Sequence, residues 1–238
     1  MFTLRPRIFA AATLLLLFTG CLTIEENYTF KKNGSGTMEY VVDMSEIGEL
    51  MKTLGEMGET GGGAAPDELG SLDMEDEMKA LKAIPGIRKV KLDGKKKWVQ
   101  RLKFNFSDIT ALNAALNVLM ADSTGLKHDF FAWDGSTLVR TNNRHAYELG
   151  ASMANSGAED AQEGDSLAVP EQEADMSAFL GSMKYKYSFK FADAIGDTET
   201  AEGINKEIVG PKEIKLDTDW SVISANEEAL DLRIKLDR

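Results

Sequence analysis

Few residues in this 238-residue chain have both the type and the setting for chemistry. Cys21 is the one cysteine, and a thiol is the best available side-chain nucleophile for forming a thioether. His128 and His145 are the two histidines, one at the start of a strand-like stretch and the other in TNNRHAYEL. A zinc-type site needs about four ligands. Two histidines with no free soft ligand beside them fall short of that set. Asp73, Glu75, Asp76 and Glu77 crowd carboxylates together, but without the spacing of an EF-hand loop. Solvated loop acids are the simpler account of them. No nucleophile elbow GxSxG, no HExxH, no P-loop and no dinucleotide-binding glycine pattern occurs. The expectation is a protein that is not an enzyme, with no catalytic residue, no cofactor and no metal.

Cys21 gains meaning from what precedes it. Arg5 and Arg7 form a positive start, and Ile8 to Phe18 is apolar apart from Thr13. The run is too short to span a bilayer, which takes about 20 apolar residues, but it suits the core of a secretory signal. Phe18, Thr19, Gly20 and Cys21 then resemble the bacterial lipobox. That resemblance implies cleavage after residue 20 and acylation of the sulfur and the new amino group of Cys21. At about 0.8 kcal/mol per buried methylene, two or more acyl chains anchor stably. Acylation would also consume a thiol that has no disulfide partner. The chain therefore divides into a signal peptide, 1–20, and a lipoprotein domain, 21–238.

The whole chain carries 27 Lys and Arg against 39 Asp and Glu, a formal charge of −12. Without Arg5 and Arg7 the basic count falls to 25 and the net becomes −14. Such a charge disfavours nucleic acid and anionic lipid surfaces as general partners. The remaining length allows one medium domain or two small ones. Thr53–Met78 and Leu149–Met183 contain no Lys or Arg, and their centres, near 56–72 and 150–175, read as flexible acidic loops.

Alternation marks the elements. Leu22, Ile24, Tyr28 and Phe30 share one face of a strand, with Thr23, Glu25, Asn27 and Thr29 on the other. Asn33-Gly34 predicts a hairpin turn, and Met38, Tyr40 and Val42 a return strand. Asp43 or Ser45 caps a helix carrying Ile47, Leu50, Met51 and Leu54. A second helix is expected over about 71–83, ended by Pro85-Gly86. Arg88, Val90 and Leu92 then alternate up to an Asp93-Gly94 turn. Trp98, Leu102, Phe104 and Phe106 share a face, and Ser107 or Asp108 caps a helix with Ile109, Leu112, Leu116 and Leu119. A third hairpin turns at Asp134-Gly135. Tyr185, Tyr187, Phe189 and Phe191 form an aromatic strand face, with core packing the expected role. Ile214 and Leu216 mark a further strand, and Leu230 to Leu236 the last. Lys95–Lys97 and Lys184–Lys190 are basic strips on an acidic protein, open to lipid phosphates or an acidic partner. The predicted class is α+β: a mostly antiparallel sheet built from β-hairpins, with amphipathic helices packed on one face.

Two stretches carry a further resemblance. CLTIEENYTFKKNGSGTMEYVVDMS, and YSFKFADAIGD leading through INKEIVGPKEIKL, are similar to the LppM-like lipoprotein domain. The resemblance implies an envelope lipoprotein with a non-enzymatic binding or structural role and contact with lipid or another envelope protein. The membrane would be reached through the N-terminal lipid anchor. The outer membrane is the expected location, with its periplasmic and surface faces both open. A carrier or chaperone for a hydrophobic ligand is the alternative role.

Overall fold

Even-numbered apolar residues bury one face of the first strand and set the rest of the core against it. In a computed structural model, residues 22–49, 74–121, 123–149, 151 and 181–237 are described. Strand β1, Thr23–Phe30, alternates between buried and exposed positions along its length. β2, Gly36–Asp43, returns antiparallel to it, with Phe30 opposite Gly36. The turn between them spans Lys31–Ser35. Gly34 adopts φ 79° there, a left-handed conformation that glycine takes without steric cost. A helical turn at 45–49 follows, its Ser45 amide donating to Asp43 Oδ1 at 2.9 Å. The expected apolar positions Leu50, Met51 and Leu54 lie outside the described residues, as do the signal segment, Cys21 and both acidic loop centres apart from residue 151.

Helix α1, Glu75–Ala83, places Glu75, Asp76 and Glu77 in its first turn, where negative charge complements the unpaired N–H groups. It stops before Pro85, and Gly86 at φ 90° turns the chain into β3, Ile87–Asp93. In β3 the predicted alternation holds for Val90 and Leu92, both half-buried against the core, but not for Arg88, which is exposed. Ile87, opposite Phe106, is the buried residue at its start, and Leu92 lies opposite Leu102. An odd separation cannot keep two residues on one face of a regular strand. A bulge between Arg88 and Lys91, with Lys89 at φ 55°, restores the phase. β4, Val99–Phe106, buries Leu102, Phe104 and Phe106 as expected. Trp98 stands just before it at φ 69°, packed in the loop rather than in the strand.

Helix α2, Ile109–Leu119, is capped by Asp108, whose carboxylate accepts from the Ala111 amide at 2.9 Å. The third hairpin pairs β5, Phe131–Trp133, with β6, Thr137–Arg140, across Asp134-Gly135. A helical turn at 144–149 follows. β7, Lys184–Phe191, is the aromatic strand, and its rings are core as predicted. Beyond it lie β8, Ala194–Thr200; β9, Asn205–Gly210; β10, Glu213–Asp219; helix α3, Trp220–Ala225; and β11, Leu232–Asp237.

The described strands form two sheets. One runs β3-β4-β2-β1-β7-β10-β9, and the other β5-β6-β11-β8. The β1–β7 pair is parallel and every other pair is antiparallel. The mixed α+β class holds, with a second sheet added to the predicted one. The parallel register sets Tyr28 beside Phe189 and Phe30 beside Phe191. These rings stack at 5.3 and 5.5 Å. Phe131 of the second sheet meets Tyr28 edge-on at 5.0 Å, so aromatic packing joins the two layers. Helix α2 does a second job through two asparagines one turn apart. The Asn113 side-chain amide donates to Phe131 O at 2.9 Å and accepts from Phe131 N at 2.8 Å; Asn117 makes the same pair with His128, both at 2.8 Å. These bonds satisfy backbone groups along the β5 edge that would otherwise be open to another chain. Among the described residues, no helix is long and apolar enough to cross a membrane.

Candidate functional site

Glu26 breaks the pattern of its own strand. It occupies the buried phase of β1, between Ile24 and Tyr28, and is fully buried. Its neighbours across the sheet are Tyr40 on β2 and Tyr187 on β7. A lone carboxylate in such a place would carry a desolvation cost of several kcal/mol. Arg140, at the end of β6 in the other sheet, is the counter-ion and is equally buried.

The contact is two-pronged. Arg140 Nη1 lies 2.9 Å from Glu26 Oε2, and Nη2 donates to Oε1 at 3.1 Å. Each remaining donor direction also has a partner. Nε donates to Asn143 Oδ1 at 2.8 Å, Nη1 to the Tyr28 hydroxyl at 2.9 Å, and Nη2 reaches Met120 Sδ at 3.6 Å. The guanidinium lies 4.8 Å from the Tyr187 ring centre and 4.9 Å from that of Phe131, within cation–π range. The Tyr28 and Tyr185 hydroxyls donate to the two Glu26 oxygens. Tyr187 donates to Asn143 Oδ1 at 3.2 Å, and Asn143 Nδ2 donates to Asp231 Oδ1 at 2.7 Å.

Burial governs the protonation of this cluster. It pushes the hydroxyls of Tyr28, Tyr185 and Tyr187 well above the ordinary phenol range, and Glu26 adds to the rise. Burial alone would lower the Arg140 guanidinium, but Glu26 and the tyrosines overcome it and hold the group firmly charged. Asp231, half-buried, is raised by burial and by Glu228, against the hydrogen bond from Asn143 and the charge of Arg140. It lies on a crevice of about 10 Å³ lined also by Tyr185, Tyr187, Leu216, Thr218 and Leu230. That is room for about one water. The arrangement holds a carboxylate and a guanidinium between neutral phenols. Its chemistry is that of a clamp between two sheets.

Candidates drawn from the sequence fall elsewhere. Cys21 lies outside the described residues. His145 Nε2 is 3.1 Å from the Tyr185 hydroxyl, at the margin of the cluster, while His128 packs edge-on to Phe130 at 5.9 Å. Among the described residues, no group of three or more His, Cys, Asp or Glu converges as a metal site would. Of the Asn142–Arg144 loop, Asn143 is part of the cluster, and Arg144 pairs with Glu148 at 2.8 Å. Lys186 and Lys190 pair with Glu25 at 3.7 Å and Glu213 at 3.3 Å on the outer face. Sequence reasoning missed Glu26 and Arg140. A signal existed for both, because Glu26 is in phase with Ile24 and Tyr28, and Arg140 with Leu138.

No protein-family model matches the chain, and no curated protein matches it in sequence. Among solved structures, the folded domain of LppM from Mycobacterium tuberculosis, determined by NMR, matches it. The match covers 92% of this chain and 90% of that one, at 9% sequence identity and a TM-score of 0.43. No residue role is carried over from it.

Proposed function

We propose that this is a lipid-anchored lipoprotein of the cell envelope, acting as a non-catalytic binding or structural module. One observation carries the reading. The leader ends in Gly20-Cys21, and the very next residue, Leu22, is already buried and accepts a hydrogen bond from the Lys184 amide at 2.8 Å. A lipid on Cys21 would thus hold the domain against its membrane with no spacer between. The crevice beside the clamp has room for about one water and so does not itself hold a hydrophobic ligand.

Metabolic labelling with an alkyne fatty acid tests the anchor. The wild-type chain takes up label and the Cys21→Ala chain does not. Equal labelling of both would end the proposal. Fractionation of inner from outer membrane then locates the labelled protein, with the outer membrane the expected fraction.

A further inference from the structure

The charge of this acidic protein is unevenly placed. Between Ile87 and Lys103 stand Arg88, Lys89, Lys91, Lys95, Lys96, Lys97, Arg101 and Lys103, with Asp93 the lone acid. The β3–β4 hairpin therefore carries +7, while the rest of the chain after residue 20 carries −21. Charges on an edge strand guard against pairing with another chain, and the bulged β3 is such an edge. That role does not call for three consecutive lysines on the turn.

The turn is firmly built. Asp93 Oδ1 accepts from the Lys95 amide at 3.1 Å, Val99 N donates to Lys96 O at 3.1 Å, and Met44 N donates to Trp98 O at 2.8 Å. Trp98 packs so closely against Gly48 that a Cβ there would lie 2.3 Å from its ring. Lys95, Lys96 and Lys97 remain exposed on this frame. Lys96 pairs loosely with Asp43 at 3.8 Å, and the Lys97 ammonium lies 5.4 Å from the Trp98 ring centre. Asp43, half-buried, and Glu46 and Glu49, exposed on the adjoining helical turn, lower the +7 of the hairpin to +4.

Register fixes where this tip points. Thr23 is opposite Asp43, and Asp43 is opposite Val99. The lysine turn therefore sits at the same end of the sheet as the start of β1. Two strand spacings, about 10 Å, separate them, close to the Debye length in physiological salt. A chain tethered at residue 21 brings this turn to the membrane surface. We propose that the Lys95–Lys97 turn docks on anionic lipid headgroups of the anchoring membrane, fixing the orientation of the domain on it. This rests on the lipid anchor proposed above.

Lysine footprinting of the acylated full chain tests it. The protein is reconstituted on vesicles of phosphatidylcholine alone, or of phosphatidylcholine and phosphatidylglycerol two to one, and acetylation rates are read by mass spectrometry. Lys31, Lys32 and Lys212, at the opposite end of the sheet, serve as internal controls. Lys95–Lys97 should react about fivefold more slowly on the anionic vesicles, and the slowing should vanish near about 1 M salt, where screening is nearly complete. Vesicle flotation is read in the same samples. Flotation on both compositions with unchanged lysine rates overturns the docking and leaves the anchor standing. Failure to float removes the anchor, and the docking with it. Equal slowing on both compositions assigns the turn to a protein surface, a second copy among them, and overturns the proposal.

Discussion

At the residue scale, the Glu26–Arg140 pair sets two fully buried charges against each other. Removing one partner of a buried pair leaves an unmatched charge and costs about 3–5 kcal/mol. Urea unfolding of Arg140→Met should show a loss of that size. The double variant Glu26→Leu/Arg140→Met should be less destabilised than the sum of the two single losses by about 2 kcal/mol. Strict additivity would show that the pair is not coupled. The surrounding tyrosines give a pH signature. Tyr28, Tyr40, Tyr185 and Tyr187 are all raised, chiefly by burial. A group whose folded pKa exceeds its unfolded value stabilises the fold fully below the unfolded value, about 10 for tyrosine. That contribution is lost as pH rises through the folded pKa. Tyrosinate absorbance from these four should therefore appear together with loss of near-ultraviolet circular dichroism. Gradual ionisation near pH 10 in an intact fold would contradict the burial argument.

At the element scale, helix α2 and its cap show how local rules become tertiary ones. Asp108 was one of two cap candidates on sequence, and the structure selects it through its bond to Ala111. That bond, with help from Ser107, holds the Asp108 carboxyl below the ordinary carboxylate range. Asp108→Ala should cost about 1 kcal/mol in thermal or urea melts at neutral pH. Asn113 is a different case. Its side chain stands in for a neighbouring strand at Phe131, and truncation leaves a buried N–H and C=O unmatched. Asn113→Ala should cost about 1–3 kcal/mol, measured by urea unfolding, and should speed amide exchange at Phe131. A change below a few tenths would mean that water replaces it freely. The Asn113 role is not visible in ITALNAALNVL, where Asn113 is one of three polar residues, with Thr110 and Asn117, among apolar ones.

At the scale of the whole molecule, packed rings and the Glu26–Arg140 ion pair join the two sheets. Glu26 and Arg140 are 114 residues apart in sequence. The clamp therefore forms only when the sheets meet, and it selects one relative placement of them. The same sheet turns one end, with the start of β1 and the lysine turn, toward the proposed membrane. The opposite end carries the Lys31–Ser35 turn and the β7–β8 connection.

The sequence by itself determined the strands whose faces differ in polarity. β1, β2, β4, β7 and β11 alternate because one side of each meets the core and the other meets water. It also pointed to the Asp108 cap and to the hairpin turns, since these depend on residues only a few positions apart. β8 and β9 escaped because they have little buried face to announce them. The parallel β1–β7 pair, the bulge that restores Leu92 to the core, and the second sheet were decided by tertiary structure. So was the clamp. A glutamate and an arginine read as surface residues until each is the other's desolvated partner, and that partnership depends on contacts between residues distant in the chain.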